Sequence, residues 1–537
     1  WGADTLMGFF GRHRGGALAA SDMGFSNHLG RPLPSIIHAS TPSLLYRIQY
    51  LFIPAFLMMT FFTPKAELLD FYSCVLVLFS LHTYRSMTPV VHKLSLYIGL
   101  FISCIPLSVL CLRPVLCMFC APPIVVVLTR VASRSTLRLP DSVLLLQLLL
   151  LSCSVANRDL IVRVSPFVSA PQVCATLIAG GIGVIYLSSV FRSSFVISGF
   201  ALYMAATLDG QCLEYAGPDS VPRALGAFPG LRSIYLILKS IFFSSGDIGS
   251  VLRVMTLWGG GSIALLGTIV VFTASPIPFL IPAGLANAVF RKGFHAWMAV
   301  VCVSGFDRHA DSFLLCSGIF SLLFGFIEAM RLLPEVQHEV ALAEAGPDRP
   351  LVYRMLSALG RHGEPGVTRH LYLLLACCLP VCVERVGGRA DGMRWLGVAS
   401  VVFGDAAAVI VPAVLVGCNR APSTFASTVR VVCVPQRSSY ATNSSLPVSC
   451  PLLHLLPGPP SATIALFGDK TIAGTVSNWV VTWVVLWGVG KYGILEATLV
   501  SMVTAVVESF SIADNILVPF PGGVTSLVYR AIKQALF

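Results

Sequence analysis

Residues 395 to 417 read WLGVASVVFGDAAAVIVPAVLVG, an apolar stretch about long enough to cross a bilayer, with one carboxylate, Asp405, near its middle. A carboxylate at membrane depth is expensive to hold, so a residue of this kind marks a functional site by default and needs partners. The plain alternative is that a neighbouring helix satisfies Asp405, or that the helix ends at Gly404. Two further stretches supply polar company: KTIAGT at 470–475 and ESFSIADNILVP at 508–519.

Composition decides the class. The chain has 537 residues, 55% hydrophobic and 11% charged, and a mean hydropathy of +0.81. A soluble protein carries about 25% charged residues. These values predict an all-α, polytopic membrane protein with roughly 13–15 transmembrane helices. The net charge of +11 is spread over scattered loops. It reads as positive-inside anchoring and phosphate contact, and excludes a nucleic-acid surface.

Of the 16 cysteines, most lie inside apolar runs. The CxxC at Cys117–Cys120 lacks a second pair and a nearby His, so zinc is not expected there, and cysteine serves as a small core residue.

Taken in order, residues 1–43 are rich in Gly and Ser, mildly basic, and begin on Trp1. They lack a signal-peptide core and are expected to be a flexible tail of a chain whose N-terminus lies upstream. Spanning runs start at LLYRIQYLFIPAFLMMTFF (44–62) and continue through LLDFYSCVLVLFSLHTY (68–84). Residues 44–289 are expected to form an architectural, lipid-binding half, and the first third of the chain is expected to hold no intramembrane carboxylate and no polar constellation. Its Gly-rich runs, LIAGGIGVIYL (177–187) and LWGGGSIALLGTIVVF (257–272), read as helix-packing faces. Neither matches a dinucleotide fingerprint, and Lys491 in GVGKYG lacks the rest of a phosphate-binding loop.

From residue 290 the polar residues become specific. RKGFHAW (291–297) sets Arg291, Lys292 and His295 at the mouth of an apolar segment, and a later run ends in Glu328 and Arg331. Taken alone these read as interfacial anchors. A charged loop (331–370) contains an amphipathic stretch, PEVQHEVALAEA. Residues 418–463, rich in Ser, Thr and Pro, read as an irregular insert within the catalytic region 290–537. They carry a glycosylation sequon at Asn443, usable only on a luminal loop.

Phosphoryl transfer requires positive charge on the phosphates, carboxylates for a divalent cation, and an acceptor held in line. The C-terminal third supplies these types. Asp405, Asp514 and Glu508 are candidate carboxylates, and Lys470 is a compact phosphate ligand. Thr471, Gly474 and Thr475 allow close approach and hydroxyl contacts, and Asn515 can orient a carboxylate. Pro519 ends local helix bonding just past Asp514, which suits a broken helix at a cavity.

The pattern resembles the CTP-dependent polyprenol and lipid kinases, in particular the branch acting on dolichol. The family's G-D-x-x-A is matched by Gly404, Asp405 and Ala408. Its K-[ST]-x-x-G-T is matched by Lys470, Thr471, Gly474 and Thr475, and its acid followed by D-N-[LI]-x-[IVL]-P by Glu508, Asp514, Asn515 and Pro519. RKGFH with FGFIEAMR, and RHLYLLLACCLPV (369–381), resemble the dolichol branch. The likeness spans about 290–537. Three positions depart from the family: Pro412, Asp469 and Ala473. The insert also separates two motifs that the family keeps close.

The resemblance implies transfer of the γ-phosphate of CTP to dolichol, giving dolichyl phosphate for protein glycosylation in the endoplasmic reticulum membrane. It implies a catalytic set of Asp405, Lys470, Glu508 and Asp514. CTP would be bound by Gly404, Ala408, Lys470, Thr471, Gly474, Thr475 and Asn515. Mg²⁺ or another divalent cation would sit on Asp405 and Asp514, with second-rank phosphate contacts from Arg291, Lys292 and His295. The expected partners are CTP, a polyprenol and the bilayer. The competing readings are a kinase of another lipid alcohol (phytol, farnesol or diacylglycerol) and a polytopic transporter.

Overall fold

The computed structural model describes residues 47–61, 70–86, 93–111, 113–162, 170–216, 235, 239, 247–274, 283–306, 308–338, 369–387, 393–408, 465–467, 470–510 and 514–536. The insert at 418–463 and most of the charged loop therefore lie outside the described residues. The protein is an all-α, multi-pass membrane protein with one minor exception, a two-stranded antiparallel pair near residue 470.

Sixteen helices are labelled in chain order. They are α1 (Phe52–Phe61), α2 (Phe71–Ser86), α3 (Lys93–Val109), α4 (Pro114–Arg134), α5 (Leu139–Val162) and α6 (Ala170–Phe191). There follow α7 (Ser194–Ala216), α8 (Ile248–Ala274), α9 (Ala283–Gly305), α10 (Ala310–Arg331) and α11 (Arg369–Gly387). A short α12 (Arg394–Gly397) runs into a π-helical segment, Val398–Gly404. After it come β1 (Ala465–Phe467), β2 (Lys470–Thr471), α13 (Ile472–Gly488), α14 (Ile494–Phe510), α15 (Asp514–Leu517) and α16 (Pro519–Leu536). Among the described residues, five helices are long and apolar enough to span a membrane, and five shorter apolar helices accompany them.

Two patterns of apolar residues distinguish core from lipid face. In α11 every residue from 371 to 383 is buried. A helix apolar all round must be enclosed by protein or lipid, and α11 is enclosed by protein: it packs on α5, α6, α9, α10, α15 and the π segment. By contrast α3 exposes Ile98, Phe101, Ile102, Ile105 and Val109, one stripe at helical spacing. Among the described residues no apolar partner covers that stripe, which suits contact with lipid.

Small residues fix the closest helix pair, as LIAGGIGVIYL predicts. A Cβ placed on Gly325 of α10 would meet the Cα of Gly181 at 2.5 Å, and one on Gly181 would meet the Ser321 carbonyl at 2.6 Å. Nothing larger than hydrogen fits between these backbones. The second Gly-rich run behaves differently. Gly259, Gly260 and Gly267 have open space, and only Gly261 lies against a neighbour, the Trp297 ring. Lys491, in left-handed conformation at φ 58°, turns the chain between α13 and α14.

The first third does hold polar groups, contrary to expectation. Asp70 is buried at the start of α2, where it accepts bonds from the Ser73 N–H (3.0 Å), the Ser73 hydroxyl (2.6 Å) and the Ser154 hydroxyl (2.6 Å). It caps the helix and ties α2 to α5. Gln147 of α5 donates to the Tyr50 carbonyl and to Ser80, each at 2.8 Å. Hydrophobicity plots pass over these residues because each is a lone polar position in an apolar run.

Replacing Gly325 with Leu is expected to force α6 and α10 apart and destabilise the protein by about 2 kcal/mol or more. The companion Gly260→Leu, at an open exposed position, should leave the melting temperature of the detergent-purified protein within about a degree. Equal melting of the two variants would contradict this packing.

Candidate functional site

Asp405 directly follows the π segment, and its backbone N–H bonds the Ser400 carbonyl, one residue wider than an α-helical bond. Helical structure continues through 408, so the chain does not stop at Gly404. A π-turn widens the backbone ladder and leaves a carbonyl in want of a donor. The Thr482 hydroxyl of α13 lies 3.2 Å from the Ala399 carbonyl and 3.0 Å from Asn478 Oδ1, and donates to one at a time. Thr482 and Asn478 are both fully buried. Their approach is possible because residue 404 is Gly: a Cβ there would lie 2.6 Å from Asn478 Oδ1 and 2.7 Å from Thr482 Oγ1.

His295 supplies one partner for the carboxylate. Its Nε2 lies 3.1 Å from Asp405 Oδ2, with both side chains largely out of solvent at 5% and 11% exposure. The contact has ion-pair distance without the alignment of a good hydrogen bond. His295 sits well inside α9, buried rather than at a helix mouth, which corrects its reading as an interfacial residue. Trp297, on the same helix, donates to Ser262 of α8 at 3.2 Å.

The other motif-bearing elements gather around the same segment. The π segment packs against α9, α11, α13, α14 and α15. β2, carrying Lys470 and Thr471, pairs with β1, leads directly into α13 and packs on α14. Gly474 is buried and Thr475 half-buried in the first turn of α13. Glu508 is buried near the end of α14. Asp514 and Asn515 open the one-turn helix α15, and Pro519 then begins α16. The helix is therefore broken where Pro519 predicts. Ala408 is half-buried one turn beyond Gly404. The side chains of Arg291, Lys292, Lys470, Thr471, Asp514 and Asn515 lie outside the described residues, so only their backbone positions are placed.

The divalent cation that the resemblance implies would need carboxylates that are close together. Mg²⁺ is held by one or two carboxylates and completes its shell with water and phosphate oxygens. Asp405 and Glu508 are buried carboxylates on elements that pack together. Among the described residues no group of three metal-ligating side chains includes either of them.

Sequence reading missed Asn478 and Thr482. Asn478 Nδ2 is buried and has no hydrogen-bond partner among the described residues. Leaving such a donor unpaired costs about 1–3 kcal/mol, and turning the amide over would let Nδ2 donate to the Thr482 hydroxyl while that hydroxyl donates to the Ala399 carbonyl. The only sequence signal was their spacing, one helical turn apart on the face of α13 shared with Gly474.

Glu328 and Arg331 of FGFIEAMR pair with each other at 3.1 Å within α10. No protein-family model, curated protein or solved structure matches this chain.

The His295–Asp405 contact makes a direct expectation. His295→Ala and Asp405→Ala should each destabilise the protein, and the double variant should fall short of the sum by about 1–3 kcal/mol. Strict additivity in a thermal double-mutant cycle would show that the two do not interact.

Proposed function

We propose that the protein is a CTP-dependent lipid kinase of the dolichol kinase type, acting in the endoplasmic reticulum membrane. The observation that carries this reading is the packing against the π segment of α13, α14 and α15, which bear Gly474 and Thr475, Glu508, and Asp514 and Asn515, with His295 3.1 Å from Asp405. Composition and helices make the site a membrane one, and a membrane site with phosphate-transfer residues suits a lipid acceptor better than a soluble one.

In this reading the dolichol hydroxyl oxygen attacks the γ-phosphorus of CTP. The bond from that phosphorus to the β–γ bridging oxygen breaks, and CDP leaves. The hydroxyl proton passes to a carboxylate, for which Glu508 is the candidate base. Lys470, with the hydroxyls of Thr471 and Thr475, would hold phosphate oxygens beside Gly474, where a small residue lets them approach. Asp405 and Asp514 would hold the divalent cation, whose chemistry is neutralisation of phosphate charge. His295 fixes the Asp405 carboxylate, a positioning role. Asn478 adds an amide donor next to Gly404. Arg291 and Lys292 stay second in rank. The polyprenyl tail would remain in the bilayer against the apolar helices of 44–289.

Asp405→Asn in isolated membranes is expected to lower CTP-dependent phosphorylation of dolichol by at least about 100-fold at normal expression. Retained activity would remove Asp405 from the reaction.

A further inference from the structure

Outside the kinase-like site, three cysteines from two helices and the link between them come together. Cys74 lies on α2, Cys111 in the link from α3 to α4, and Cys117 in the first turn of α4. Their sulfurs all lie within 4.8 Å of one another, and all three residues are buried. Among the described residues this is the only such grouping of Cys, His and acidic side chains. Cys120, the second cysteine of the CxxC, is not a member.

The local fold explains the grouping. Pro114 opens α4, and the Cys117 N–H bonds the Arg113 carbonyl at 3.0 Å, so the first turn of α4 sets Cys117 back over the link. The Cys111 N–H bonds the Ser108 carbonyl at 3.2 Å, which folds the link against the end of α3. α2 packs on both α3 and α4 and brings Cys74 to the same point. Cys104 of α3 borders the group, its thiol 3.4 Å from the Cys117 carbonyl.

We propose that Cys74, Cys111 and Cys117 form a binding site for a thiophilic d¹⁰ cation, zinc(II) or copper(I). Three sulfurs around such an ion stand about 3.8–4.0 Å apart, given a metal–sulfur bond of about 2.3 Å. The observed group needs to contract by at most about 1 Å to reach that spacing. Soft thiolates select these ions over magnesium or calcium. Cys104 is the neighbour able to serve as a fourth ligand for zinc, whereas copper(I) is satisfied by three.

Binding would release one proton from each thiol that becomes a ligand, and no oxidation is involved. The ion would staple α2 to the α3–α4 hairpin in the lipid-facing half of the protein. The ordinary alternative, cysteine as core filler, explains burial but not three sulfurs meeting from separate elements.

The test uses the full chain purified in detergent under reducing conditions and dialysed with zinc chloride or with a copper(I)–bicinchoninate complex in separate arms. Metal per chain is then measured by mass spectrometry. About one equivalent of zinc or of copper should stay bound to the wild type and to Cys120→Ala. The combined Cys74→Ala, Cys111→Ala and Cys117→Ala variant should lose at least about ten-fold. Because that variant can fail to fold, X-ray absorption at the edge of the bound metal is read on the wild type. A shell of three or four sulfurs at about 2.3 Å supports the site. A nitrogen and oxygen shell, no retained metal in either arm, or a disulfide within the trio in the protein as isolated overturns it.

Discussion

A carboxylate enclosed in an apolar bundle must be matched by a cation, a donor or a proton, and Asp405 sets this condition for the C-terminal half. His295 meets it from α9 at 3.1 Å. For that contact to form, α9 must lie beside the π segment, and the π segment must present Asp405 inward. Gly404 allows α13 to approach from another side, and the widened turn gives Thr482 a carbonyl within reach. Replacing any of these residues by a bulkier or apolar one would disturb the others, since they share one buried volume.

The rest of the fold supports this arrangement. α11, buried along its length, supplies a wall against which the π segment, α9 and α15 pack. The Gly181–Gly325 contact draws α6 and α10 together, and both pack on α11. The polar residues of the N-terminal half act locally. Asp70 and Gln147 tie helices through hydrogen bonds that apolar packing alone would not specify. The polar groups of the N-terminal half thus tie helices together, whereas those around Asp405 share one buried volume.

Much of this was legible in sequence, and particular residues show why some was not. Composition alone settled the membrane class, and Asp405 stood out because an acid inside an apolar run has few benign explanations. Pro519 marked a helix break, which α15 and α16 display. His295 was underweighted because a His beside Arg291 and Lys292 looks like an interfacial anchor until its depth in α9 is known. Asn478 and Thr482 were invisible because Asn and Thr inside a transmembrane helix are common, and only the neighbour across the interface distinguishes them. The two Gly-rich runs looked alike, yet one lines a helix contact and the other largely faces open space. The cysteine trio was hidden because its members are separated by irregular intervals, and the one regular spacing, Cys117–Cys120, picks the wrong partner.

If the elements gathered around Asp405 transfer phosphate from CTP to a lipid alcohol, the labelled product lipid is the direct readout. Purified protein, reconstituted in vesicles, is given γ-labelled CTP or γ-labelled ATP with dolichol, phytol, farnesol or diacylglycerol, and labelled lipid is counted. Label is expected on dolichol from CTP, with little from ATP. Label from ATP alone, or no labelled lipid with any acceptor, would contradict it.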